Sequence, residues 1–401
     1  MNTARPRLCV VTPVHWKAFM GGAQYQVKCL LDHLHSLDRY EIDYVARRAP
    51  DDPELDGYRL HRIGRGNRKP RFGYASDAPE LYRLLRHLRP DVIYQRVGCA
   101  YTGIAALYAR RHGARLVWHA SSDADLARDK RIGRKNVVRQ YLEDSLLSYG
   151  IRNAHHVVVQ TQHQARMLSA NYSRDPRAII GNFHPLPTDV RTGRADGRIL
   201  WIANLKRLKQ PEVFVRLANN LKDVPTAQFV VIGASAAGDG DTRWTQALLE
   251  QMGNTSNLRY LGELSQDEVN AQLVGATALV NTSLYEGFPN TFIQAWLRGV
   301  PVVSLAVNPD GVLDRASVGM HAESEDELAQ ATRRLLEDHG FRDRLARNAR
   351  GYAQEFHSMK NAQRLADVLE EALDSVRHHL QQPSPCGPPA RGHRAEEVRT
   401  E

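Results

Sequence analysis

Short runs rich in β-branched residues alternate with longer amphipathic stretches along most of the chain, and few folds tolerate that alternation. Strands buried on both faces read as continuous apolar runs, and parallel neighbours need a helical crossover between them. In the first half the runs predict strands at Leu8–Val11, Ile42–Ala46, Arg59–Ile63, Asp91–Gln95, Arg115–His119, His156–Gln160 and Ala178–Ile180. Helices fill most of the gaps, including Ala23–Leu37, Glu80–Leu88 and Val137–Tyr149. After Gly181–Pro187 and the polar stretch Thr188–Gly197 the pattern restarts. Strands are expected at Ile199–Ala203, Gln228–Ile232, Leu258–Leu261, Ala278–Asn281 and Val300–Ser304. Helices follow near Pro211–Asn220, Arg243–Met252, Gln266–Leu273, Thr291–Leu297, Glu325–Asp338 and Lys360–Val376.

This count predicts an α/β chain with two doubly wound, Rossmann-like domains whose strand ends face a cleft, where ligands of such folds bind. The expected boundaries are 1–187 for an N-terminal domain, 188–197 for a linker and 198–356 for a C-terminal domain. A C-terminal helix (357–379) crosses back, and a disordered tail (380–401) holds Gln381–Pro389, too poor in apolar residues to fold. With 42% hydrophobic and 25% charged residues over 401 positions, the rest of the chain can bury a large core.

Cys9, Cys29, Cys99 and Cys386 fall singly, with no Cys-x-x-Cys pair, which fits a reduced, cytoplasmic setting and predicts no metal site. No apolar run nears the roughly 20 residues that span a bilayer, so any membrane contact is expected to be peripheral, at the inner face. The net charge of +9 is lopsided. Residues 1–190 hold 30 basic and 18 acidic side chains, a surplus of 12, whereas residues 191–401 hold 24 and 27. Arg59, Arg62, Arg65, Arg68, Lys69 and Arg71 crowd one region, and Arg128, Lys130, Arg131, Arg134 and Lys135 another. An anionic partner is expected there, and an anionic membrane surface fits better than nucleic acid, because no aromatic residues interleave the basic runs.

The densest chemistry lies in Asn281–Ser304, where a strand ends at a polar loop with one acid and one glycine before an amphipathic helix. Backbone N–H groups around Phe288–Thr291 would favour a phosphate, with Glu286 at the mouth. On spacing alone Glu286 reads first as a structural acid at a helix start. Gly21-Gly22, Trp118-His119, the cations Lys206, Arg207 and Lys209 after Ile199–Ala203, and Asn308–Val312 are each weak signals alone. Gly233–Gly238 lacks dinucleotide spacing and reads as a strand-to-helix turn.

In order, these segments resemble the family 4 glycosyltransferases, enzymes with the two-domain GT-B fold. Glu286-Gly287-Phe288 and Gly299-Val300-Pro301-Val302-Val303 match the family's donor signature, and Gln294 stands where a second Glu is expected. The resemblance implies catalytic roles for Glu286, His119 and Lys209: Glu286 on hydroxyls of the transferred sugar, His119 against that sugar, and Lys209 on the donor diphosphate. It implies donor contacts for Gly21, Gly22, Asn204, Lys206, Gly287, Phe288, Pro289, Asn290, Gln294 and Gly311, with Asn204 where many relatives carry Arg. It further implies a metal-independent, retaining hexosyltransferase with no cofactor. The substrate would be a UDP- or GDP-sugar, and the acceptor a saccharide or a lipid-linked saccharide of exopolysaccharide, lipopolysaccharide or glycolipid synthesis. The alternatives are a nucleotide-sugar 2-epimerase, which needs more carboxylates than Glu286, and a non-catalytic binding protein, to which Gln294 points.

Overall fold

The computed structural model describes residues 5–50, 57–64, 73–128, 137–188, 195–235 and 242–381. Its N-terminal sheet contains β1 (Arg7–Val14), β2 (Glu41–Arg48), β3 (Arg59–Arg62), β4 (Val92–Arg96), β5 (Arg115–His119), β6 (His156–Val159) and β7 (Ala178–Ile179). The order is β3-β2-β1-β4-β5-β6-β7, parallel throughout. The crossovers carry α1 (Gly22–Leu37), α2 (Ala78–Leu88), α3 (Ala100–His112), α4 (Val137–Asn153) and α5 (Gln162–Tyr172). The C-terminal sheet contains β8 (Arg198–Ile202), β9 (Gln228–Ile232), β10 (Leu258–Tyr260), β11 (Ala278–Asn281), β12 (Val302–Ser304) and β13 (Gly319–His321). It is also parallel, in the order β10-β9-β8-β11-β12-β13. Its helices are α6 (Pro211–Asn220), α7 (Thr242–Gly253), α8 (Gln266–Leu273), α9 (Asn290–Leu297), α10 (Val312–Arg315), α11 (Glu325–Glu337), α12 (His339–Phe356) and α13 (Lys360–Gln381).

Each strand order reverses once, between β1 and β4 and between β8 and β11. Loops leaving the carboxyl ends of such a strand pair diverge to opposite faces and leave a crevice. The two crevices face each other. The last helix returns to the first domain: Ala362, Leu365, Leu369 and Ala372 pack with Leu8, Val10 and Val117 in one buried cluster. One chain segment thus belongs to the core opposite its own sheet.

Some elements lie where periodicity named none. Strand β13 is three residues, Gly-Met-His, with no β-branched member, and is held by pairing to β12. Helix α3 buries residues on nearly every side, so no apolar stripe marks it. Two of the clustered basic residues have partners within the chain. Arg59 is paired with Asp43 at 2.9 Å, and Arg62 donates to Pro50 O at 2.6 Å. Arg65, Arg68, Lys69 and Arg71, like Lys130, Arg131, Arg134 and Lys135, lie outside the described residues, as do linker positions 189–194 and tail positions 382–401. Among the described residues, no helix is long and apolar enough to cross a membrane.

Candidate functional site

The facing crevices enclose a cleft of about 960 Å³ lined from both domains. On the C-terminal side, strand β8 runs into a tight turn, the 3-10 segment Arg207–Lys209, which ends at Gln210 in a left-handed conformation (φ 48°). Thr282, just past β11, holds that turn: its hydroxyl lies 2.7 Å from Lys209 O and accepts from Trp201 Nε1 at 2.8 Å. The Lys209 ammonium is thereby delivered to Glu286, 2.8 Å away. Glu286 also accepts from Ser283 Oγ at 2.7 Å and Asn281 Nδ2 at 3.1 Å. A cation and a hydrogen-bonded carboxylate are therefore locked together at the cleft wall.

The other predicted residues divide into two groups. Gly21, Gly22, Asn204, Lys206, Gly287, Phe288, Pro289, Asn290 and Gln294 line the cleft with Lys209 and Glu286. Asn204 accepts from Ala234 N at 3.3 Å and so holds the turn after β9. Lys206 adds a second cation to this wall of the cleft, whereas Arg207 stacks over Trp244 at 5.1 Å. Gln294 is nearly buried and donates to Asn270 Oδ1 at 3.1 Å. Its amide bridges α9 to α8.

His119 and Gly311 are not among the residues that line the cleft. His119 is fully buried, where Arg96 Nη1 donates to its Nδ1 at 3.2 Å. Nδ1 being the acceptor, the ring proton is assigned to Nε2. Burial, then the Arg96 charge, push this imidazole well below its ordinary pKa. Gly311 follows Asp310, whose carboxylate accepts from Gln162 N at 2.8 Å and His163 N at 2.9 Å. Orphan N–H groups at a helix start attract a carboxylate, so this loop docks on α5.

A seam of cross-domain hydrogen bonds was not expected from the sequence. Asn290 Nδ2 donates to Gly22 O at 2.9 Å, and Asn182 Nδ2 donates to Phe288 O at 2.9 Å. Phe288 N donates to Gln160 Oε1 at 3.3 Å, so this expected phosphate donor already has a partner. Gly287 fits because a Cβ there would lie 3.1 Å from Ser122 Cα, tighter than ordinary packing. Among the described residues, no group of three or more His, Cys, Asp or Glu is arranged to hold a metal.

Two buried histidines tie this seam to pH. His184 stacks on Tyr25, and His357 Nδ1 donates to Asn182 O at 2.7 Å. Burial, the largest cause for each, lowers His184 to about 3 and His357 to about 4. Between the ordinary value of 6.5 and those values the unfolded chain binds more protons than the folded one, so stability falls as pH falls. Urea unfolding should accordingly show a loss of about 2 kcal/mol per histidine between pH 7.5 and pH 5, reduced by His357→Gln. Equal stability at both pH values would contradict this.

Residues 20–185 match the family described as Glycosyltransferase Family 4, and residues 196–338 match that described as Glycosyl transferases group 1. A D-inositol 3-phosphate glycosyltransferase from Salinispora tropica is 26% identical over 264 residues, 59% of this chain. That alignment covers 55% of the relative, so the chain spans about half the length of the curated relatives it matches. In fold the chain is similar to HepE from Anabaena, solved with UDP and glucose (TM-score 0.73, 16% identity, covering 91% of this chain and 100% of that one). It is similar also to the sucrose-phosphate synthase from Thermosynechococcus elongatus (TM-score 0.71, 16% identity, covering 92% and 100%).

Proposed function

Because the chain belongs to the family 4, group 1 glycosyltransferases, we propose that it moves a hexose-type sugar from a UDP- or GDP-sugar to a saccharide or lipid-linked saccharide, with retention of configuration and without a metal. The observation that carries this reading is the Lys209–Glu286 pair, fixed at the C-terminal wall of a cleft whose opposite wall belongs to the other domain. In the reaction the bond from the anomeric carbon to the diphosphate oxygen breaks, and its electron pair leaves with the diphosphate. The acceptor oxygen bonds to that carbon, and the acceptor proton is passed on to the departing diphosphate.

Negative charge grows on the leaving group, so fixed cations near it lower the barrier most. Lys209 and Lys206 stand where they can do this, and Glu286 can accept hydrogen bonds from sugar hydroxyls. Inositol phosphate as acceptor, and glucose on UDP, are the nearest chemical leads from similar proteins. A non-catalytic binder is the second reading, and Gln294, an uncharged residue at the second acidic position, favours it. A thermal-shift panel of UDP- and GDP-sugars, followed by hydrolysis and transfer assays, tests both. One nucleotide series should stabilise the protein and turn over. Stabilisation without turnover would select the binder, and no response to any nucleotide would defeat the proposal.

A further inference from the structure

The C-terminal crevice between β8 and β11 carries the donor cations, and the N-terminal crevice between β1 and β4 ends in a cation of its own. Arg96 closes β4, lines the cleft and has 0% of its surface exposed. Its partners are neutral: Nη2 donates to Asn182 Oδ1 at 2.7 Å and Nη1 to His119 Nδ1 at 3.2 Å, the Tyr94 hydroxyl also hydrogen-bonds to the guanidinium, and Nε has no partner. Among the described residues no carboxylate pairs with it. The contrast is Arg47, also buried, which is paired with Asp77. An uncompensated buried charge is costly, so its retention needs a reason.

Two neighbouring features extend the site. Across the crevice, α1 begins at Gly21 with no side-chain cap and no acid in its first turn. Asn182, which covers the guanidinium, is itself tied to Phe288 O of the other domain. That tie holds Asn182 over the guanidinium.

We propose that Arg96 is the floor of an anion subsite on the N-terminal wall, separate from the diphosphate site, which takes a phosphate or carboxylate carried by the acceptor. A guanidinium offers a planar fork to such a group, and Asn182 adds an amide donor once released from Phe288. This rests on the transferase reading for the word acceptor, but the anion site itself does not.

The test titrates inorganic phosphate by calorimetry into the full chain and into Lys209→Ala, Arg96→Met and Arg96→Lys, without nucleotide. Phosphate binding should survive in Lys209→Ala and weaken by at least about tenfold in Arg96→Met. Phosphate-free Arg96→Met should also melt higher than the parent chain, because a buried unpaired charge is gone. If that variant does not fold, Arg96→Lys decides: loss of the fork should weaken phosphate about tenfold, and an unchanged affinity overturns the subsite. Equal binding in Arg96→Met, or binding lost in Lys209→Ala, overturns it as well. UDP and GDP are then titrated into Arg96→Met. Affinity within about twofold of the parent keeps the subsite separate from the donor, and a tenfold loss assigns Arg96 to the donor instead. Failure of both nucleotides to bind the parent chain would sink the donor reading alone, because the phosphate comparison still reads Arg96.

Discussion

Lys209→Ala should lower kcat/KM for the preferred nucleotide sugar by about 10²–10³, the usual cost of removing one fixed group that stabilises developing charge. The size follows from how firmly the lysine is held. Its turn is pinned through Thr282 to Lys209 O and, at 2.9 Å, to Gln210 O, so little reorganisation is needed when charge appears. The same substitution strands Glu286, which loses its ion pair and keeps only Ser283 and Asn281. Glu286→Gln separates the two effects, since it keeps the shape and the hydroxyl contacts but removes the charge. Nucleotide binding should persist in Glu286→Gln while turnover falls, whereas in Lys209→Ala both should fall. A double-mutant cycle measures the coupling. A loss of less than about threefold in Lys209→Ala would remove the lysine from the reaction.

Local chemistry was readable from the sequence, and cross-domain chemistry was not. Lys209, Lys206 and Glu286 each lie within a few residues of an apolar strand end, and in a parallel sheet strand ends face the ligand. The β8, β9 and β11 expectations came from the same β-branched runs that now pair in register. By contrast, Asp310 docks on Gln162 and Gln160 reaches Phe288, pairs separated by 148 and 128 positions. No local pattern announces such contacts, because they join residues far apart in sequence across the two domains. His119 ends β5 as its sequence run predicts, but a strand-end residue can point beneath the cleft floor as well as into it, and here Arg96 holds it there. Arg96 had no motif. Its significance lies in lacking a carboxylate, which only three dimensions reveal.

Gly233→Ala should be among the most destabilising single changes in the C-terminal domain, on the order of 4 kcal/mol. Gly233 takes a φ of 152°, and a Cβ there would lie 1.8 Å from Ala203 O and 2.5 Å from Ala203 C. Both are backbone atoms, so no rotamer change relieves the clash. Ala203 cannot retreat freely either, since Ala203 N donates to Ile232 O at 3.0 Å and Leu205 N to Ala234 O at 2.9 Å. On its other side Gly233 N donates to Gly262 O at 2.8 Å, and Gly233 O accepts from Tyr260 at 2.9 Å. A methyl group must therefore part the ends of β8 and β9, where the cleft is lined by Asn204, Gly233 and Ala234. Gly262→Ala is the matched control: its φ is also positive, at 74°, but nothing lies within 4 Å of the added carbon. That variant should lose only about 1–2 kcal/mol, the cost of the left-handed backbone. Urea unfolding of the two variants separates dihedral strain from steric conflict, and equal losses would refute a role for the Ala203 contact. Nucleotide affinity should follow the same ranking, because the turn that Gly233 permits is part of the wall against which the donor is proposed to lie.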